Sequence, residues 1–156
     1  MFLFVSCHCR RHDLSQKKES PEFVFLGEET ETYNSDTLTV ELEGGIKLLW
    51  DSKNDEIIKD SVFYALRGTS INKNIVKSIS DTTNLYVSVC SKKSNLRKGD
   101  VAFIALLDLD QLHVGRDLGC QFCEIYDSCK YLDGMLDGLE NNREEIAEKL
   151  LTVFFK

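Results

Sequence analysis

Val101-Ala102-Phe103-Ile104-Ala105-Leu106-Leu107-Asp108-Leu109 is apolar at every position but one. A run of that kind has no solvent face, which is the pattern of a strand covered on both sides by other layers. Read as a strand, it sets the fold. It belongs at the centre of a sheet, and every other element has to be arranged around it.

Working outward toward the N-terminus, Leu85, Val87 and Val89 alternate with Tyr86, Ser88 and Cys90, which predicts a second strand over 85–90. A weaker apolar run predicts another over 75–80. Before it, Asn54 reads as a helix N-cap with Asp55 and Glu56 in the first turn, where carboxylates complement the dipole. Ile58, Val62, Ala65 and Leu66 follow at helical spacing, Arg67 sits in the last turn and Gly68 suits the position after it. Further back, Leu38, Val40 and Leu42 alternate with Thr39, Glu41 and Glu43, and residues 46–50 return as a partner strand. Gly44-Gly45 between them predicts a two-residue hairpin turn, because such turns need positive φ.

Toward the C-terminus, Leu118, Phe122, Ile125, Cys129, Leu132, Leu136 and Leu139 recur at steps of four and three, predicting one helix over 118–139. Asn141-Asn142 breaks it. Asn142 and Glu145 then resemble a capping box, and Ile146, Leu150 and Val153 or Phe154 supply the apolar face of a last helix. The order is β-β-α-β-β-β-α-α, an α+β domain over 37–156 with a five-stranded antiparallel sheet. Residues 1–36 are mostly polar, apart from an apolar start and 23–26, and are expected to be a loosely ordered extension or to add one strand.

That element order resembles the longin (SNARE-like) superfamily. The spacing from Glu56 through Leu66-Arg67-Gly68 to the paired strands at 85–90 and 101–109 is similar to the longin half of DENN-type trafficking regulators. Gly44-Gly45 stands where those proteins carry Gly-Pro, and no family site is carried over. The resemblance implies a non-enzymatic adaptor or regulatory module in membrane traffic or small-GTPase regulation, with a small GTPase among the expected partners. The alternatives are a small-molecule-binding or sensory α+β module of the PAS or profilin kind, and a thiol- or metal-dependent enzyme.

Composition narrows the field. The 156 residues are 42% hydrophobic and 29% charged, with one proline (Pro21) and nine glycines, which excludes collagen, proline-rich linkers and wholesale disorder. Acidic residues outnumber basic ones 26 to 19, a net charge of −7 that argues against a nucleic-acid binder. No stretch approaches the roughly 18 apolar residues of a membrane span. The apolar start ends at Ser6-Cys7-His8-Cys9-Arg10-Arg11, so it does not read as a signal peptide. The expectation is a cytoplasmic protein, at most touching the cytosolic face of a membrane, with its six cysteines reduced.

No chemistry-bearing motif stands out. Cys120-Gln121-Phe122-Cys123, with Cys129 beyond, lacks a second zinc half-site, Cys7, His8 and Cys9 being over a hundred residues away, and is read as structural thiols with no metal and no cofactor. His113 with Asp108, Asp110 and Asp117, and Cys90 as nucleophile, forms a triad only on paper. GxxxxGK[ST] and GxGxxG are absent from the sequence. Two surfaces remain. Ile46, Lys47, Leu48, Leu49 and Trp50 would lie at a sheet edge and pair with another chain, as a hetero- or homodimer, with Trp50 as anchor. Lys92, Lys93, Arg97 and Lys98 form a basic loop able to touch an acidic partner or lipid headgroups.

Overall fold

A computed structural model describes residues 36–68, 70–90, 92–119, 129–131 and 134–156. The expected extension over 1–36 lies, apart from Asp36, outside the described residues, and so do Cys120 and Cys123.

Strands β1 (Thr37–Glu41) and β2 (Lys47–Asp51) form the expected antiparallel hairpin, in register from Thr37 opposite Asp51 to Glu41 opposite Lys47. Alternation decides the faces: Val40, Leu48 and Trp50 are buried, while Thr37, Thr39, Glu41 and Lys47 are exposed. The turn is one residue longer than expected. Glu43–Gly45 makes a 3₁₀ turn closed by the Leu42 N–H donating to the Ile46 carbonyl at 2.8 Å, with both glycines at φ +76°.

After β2 the chain does not enter a helix at Asn54. The Asp51 carboxylate accepts the backbone N–H groups of Lys53 (2.9 Å) and Asn54 (3.1 Å) and the Asn54 amide (2.7 Å). The Asn54 side chain is therefore a donor in a turn, where an N-cap would have to accept. The turn leads into a short strand β3 (Glu56–Ile57) paired with β2. Helix α1 (Ser61–Leu66) begins where the Asp60 carboxylate accepts from Phe63 N–H at 2.9 Å. It ends as expected, with Gly68 at φ +88° just beyond.

The five-stranded sheet is not there. Among the described residues the sheet has three strands in the order β1-β2-β3. Residues 75–80 belong to helix α2 (Lys73–Ser78) and its C-terminal turn, started by Asn72, whose side-chain oxygen accepts from Asn74 and Ile75 N–H. Residues 85–90 form no strand: the backbone turns left-handed at Tyr86, Cys90 is in a turn, and the nearest pairing is an isolated bridge between Asn84 and Arg97.

The deciding stretch itself is helix α3 (Lys98–Asp108). Its start is marked by Asp100, which accepts the Arg97 N–H at 2.7 Å, the returning half of a capping box whose first residue is not serine or threonine. Residues 99–106 are all buried, because α2, α4, β1 and β3 all contact this helix. A helix enclosed on every side is as continuously apolar as a two-faced strand, and so the same residues fit both readings.

Of the expected helix over 118–139, residues 120–128, 132 and 133, with Phe122, Ile125 and Leu132 of its stripe, lie outside the described residues, and the described ones do not form one continuous helix. A π-helical turn covers Val114–Leu118, residues 129–131 are bends, and helix α4 (Met135–Phe154) starts after Gly134 at φ +76°. Asn142 does not break α4 but kinks it (φ −134°, ψ 21°), its side-chain amide donating to the Gly138 carbonyl at 2.9 Å.

Candidate protein-interaction site

The site is built on a buried ionic cluster where the loop over 92–97 meets α3 and α4. Asp100 and Arg143 are 0% and 4% exposed, and their carboxylate and guanidinium meet at 2.5 Å. Arg143 passes directly over Gly99. A Cβ there would lie 2.6 Å from the guanidinium and 2.2 Å from the Ile79 carbonyl, so only glycine fits. Lys92, its side chain wholly buried, pairs with Asp100 at 3.5 Å and with Glu140. Glu140 also accepts from Ser94 and pairs with Arg97 at 3.3 Å.

Electrostatics follow the burial. Desolvation pushes the Asp100 carboxyl up, against the pull of Arg143. For Glu140, desolvation is outweighed by hydrogen bonds from Lys92 and Ser94 and by the charges of Lys92 and Arg97, which hold it at about 2. Three cations and two carboxylates are thus largely matched. A buried pair of this kind contributes little net stability over an apolar one, but breaking it is costly, so it fixes geometry.

What it fixes is the limb that carries Tyr86. Leu85 N–H donates to the Leu96 carbonyl at 2.9 Å, and Leu96 N–H donates to the Val87 carbonyl at 2.7 Å. Tyr86 lies between these two anchors. Its own N–H is taken by the Asn84 side chain at 2.7 Å, its φ is +57° and it is 83% exposed. A left-handed tyrosine is uncommon, costing about 1 kcal/mol, and it is held here by three short hydrogen bonds. Val89 and Leu96 are buried in the same limb. The arrangement presents a large amphipathic ring to solvent on an ordered backbone, so little backbone freedom would be lost if a partner covered it.

The residues expected to bind a partner are placed otherwise. β2 lies between β1 and β3, with β3 pairing at Trp50 and Asp51, and Leu48 and Trp50 are 1% and 0% exposed, so the Trp50 ring belongs to the core and is not presented at a sheet edge. The expectation of an edge came from the five-stranded order, in which the hairpin's second strand ends the sheet. Ile46 and Leu49 are half-buried, and Lys47 alone of the five is exposed. Of the basic loop, Lys92 and Arg97 belong to the ionic cluster, and Lys98 pairs with Asp81 at 3.5 Å. Lys93 is exposed, its N–H donating to Asp137 at 3.0 Å.

Of the paper triad, the His113 ring meets the Asp110 carboxylate at 4.0 Å, but no nucleophile joins them among the described residues. Asp108 pairs with Lys59 at 4.0 Å, and Asp117 accepts the His113 backbone N–H at 2.8 Å while pairing with Arg116. Cys90 is joined to Cys129 in a disulfide. That corrects the expectation of six reduced thiols for these two, which lie 39 residues apart in sequence and are brought together only by the fold.

Arg143 had a legible signal. Leu136, Leu139, Ala147 and Leu150 are all buried on α4, and Arg143 falls on their stripe at steps of four. A charge on an apolar stripe implies a buried partner. Dividing the helix at Asn141-Asn142 hides that register. Tyr86 has no comparable signal beyond the preceding Asn84.

Among the described residues no helix is long and apolar enough to cross a membrane. No protein-family model, curated protein or solved structure matches this chain.

Proposed function

We propose that the chain is a non-enzymatic protein-interaction module whose contact with its partner centres on Tyr86. The observation that carries this is the combination of 83% exposure and a left-handed backbone at a tyrosine held by its neighbours. Strain concentrated at an exposed aromatic is what a binding surface tolerates and a merely solvated loop has no use for. The net charge of −7 favours a basic partner surface over nucleic acid. The more specific role in membrane traffic or GTPase regulation rested on a five-stranded sheet and is not carried forward.

The test separates binding from folding. Tyr86→Gly relieves the left-handed strain, so stability should hold or rise by about 1 kcal/mol. A photoreactive residue at position 86 should crosslink a discrete protein from native lysate, and competition by wild-type chain should abolish the crosslink while the Tyr86→Gly chain should not. Equal competition by the two would remove Tyr86 from the interface.

A further inference from the structure

Among the described residues, 129–131 are attached to the rest of the fold at three points. Cys129 is bonded to Cys90, Lys130 pairs with Glu56 on β3, and the Tyr131 ring is buried at 7% exposure. The three attachments differ in kind. The Lys130–Glu56 pair is solvent-accessible on both sides, with side chains 36% and 39% exposed, and such pairs hold weakly. Tyr131 gains from burying its ring but leaves its hydroxyl, buried and without a hydrogen-bond partner among the described residues. Of these attachments among the described residues, the covalent link is the strongest.

That link is also open to attack. Cys90 is exposed and Cys129 half-exposed, whereas disulfides that resist reduction are enclosed. Cys90 is itself positioned by its N–H donating to Asp55 at 2.9 Å, in the turn just before β3. The disulfide thus joins the turn beside β3 to the segment that leads to α4.

We propose that the Cys90–Cys129 disulfide is a redox-opened clamp on residues 129–131, undone by a cellular dithiol or glutathione. Reduction breaks the Cys90–Cys129 S–S bond. Two electrons and two protons pass to the chain, giving two thiols, while the reductant is oxidised to its own disulfide. Freed of the link, the segment releases Tyr131 and exposes the apolar surface beneath it; reoxidation closes it again.

The full chain, air-oxidised and alkylated under native conditions, should yield a linked Cys90–Cys129 peptide by mass spectrometry. The same link should persist in Cys120→Ser/Cys123→Ser. Cleavage by trypsin after Lys130 should be at least tenfold faster in a glutathione-reduced sample than in the oxidised one. Cys90→Ser and Cys129→Ser should be cleaved at the fast rate whatever the redox state. Three results would each overturn the clamp: no linked peptide, one cleavage rate for all samples, or a link that only a denaturant plus excess reductant can open.

Discussion

Two apolar stretches of similar composition, residues 46–50 and 101–106, take opposite local structures. In β2, Leu48 and Trp50 are buried, Leu49 is half-buried and Lys47 faces solvent, so the strand keeps one wet face. In α3, residues 101–106 are all buried. The difference lies at their ends. β2 is led in by two glycines at positive φ and paired along its length with β1, whereas α3 starts after Arg97, whose N–H is taken by Asp100 in its first turn. Apolarity states that a segment is inside. The residues that flank it decide which hydrogen-bonding pattern it uses there.

The most forceful way to break this comparison is Ala105→Asp. It puts a charge into the enclosed face of α3 and should cost about 4 kcal/mol or more, seen as loss of cooperative thermal unfolding. Lys47→Glu, a charge at the exposed position of β2, faces Glu41 across the ladder and should cost no more than about 1 kcal/mol. If both variants melt like wild type, α3 has a solvent face after all.

Asp100→Ala removes the cap and leaves Arg143 buried without its carboxylate, which should cost about 3–5 kcal/mol by urea unfolding. Adding Arg143→Met should recover a large part of that loss, since it removes the stranded charge. Additive losses would mean that the two residues do not act as a pair.

Gly99→Ala should cost about 2 kcal/mol, because the new methyl meets the Ile79 carbonyl, a backbone atom that cannot turn aside. Gly44→Ala should cost less, about 1 kcal/mol: the left-handed φ is strained, but the obstructing atom is the tip of the Asn74 side chain at 2.2 Å, which can rotate away. Equal losses would show that backbone conformation alone governs both sites.

The smallest expected effect is on acid stability. Glu140 sits at about 2 in the folded chain against 4.5 for the free group. A carboxyl lowered by folding stabilises the native state above its unfolded value, and that stabilisation is lost as pH falls from 4.5 toward 2. The raised Asp100 acts in the opposite sense. Wild type should therefore exceed Glu140→Gln in melting temperature at pH 6, with the gap reduced to about half at pH 3 and closing only toward pH 2. A constant gap would show that Glu140 acts through packing alone.

The hairpin over 37–50 was legible because its alternation and glycines are local signals that agree with the tertiary outcome. The end of α1 at Gly68 was legible for the same reason. The candidate site was mostly hidden. Tyr86 reads as one more outward position of a strand, and its left-handed φ depends on Leu96 bonding both Leu85 and Val87. Lys92 and Arg97 read as a solvated basic loop because their partner, Glu140, is over forty residues away.

The amino-acid sequence by itself determined which segments are inside and where the hairpin turns, since apolar spacing and positive-φ glycines act within a few residues. Only the tertiary structure decided that 101–108 is helical, that β2 is central and that Cys90 meets Cys129. Each of those depends on neighbours from distant parts of the chain. Enclosure by α2, α4 and two strands makes an all-apolar helix stable, and a periodicity read along one segment carries no trace of what surrounds it.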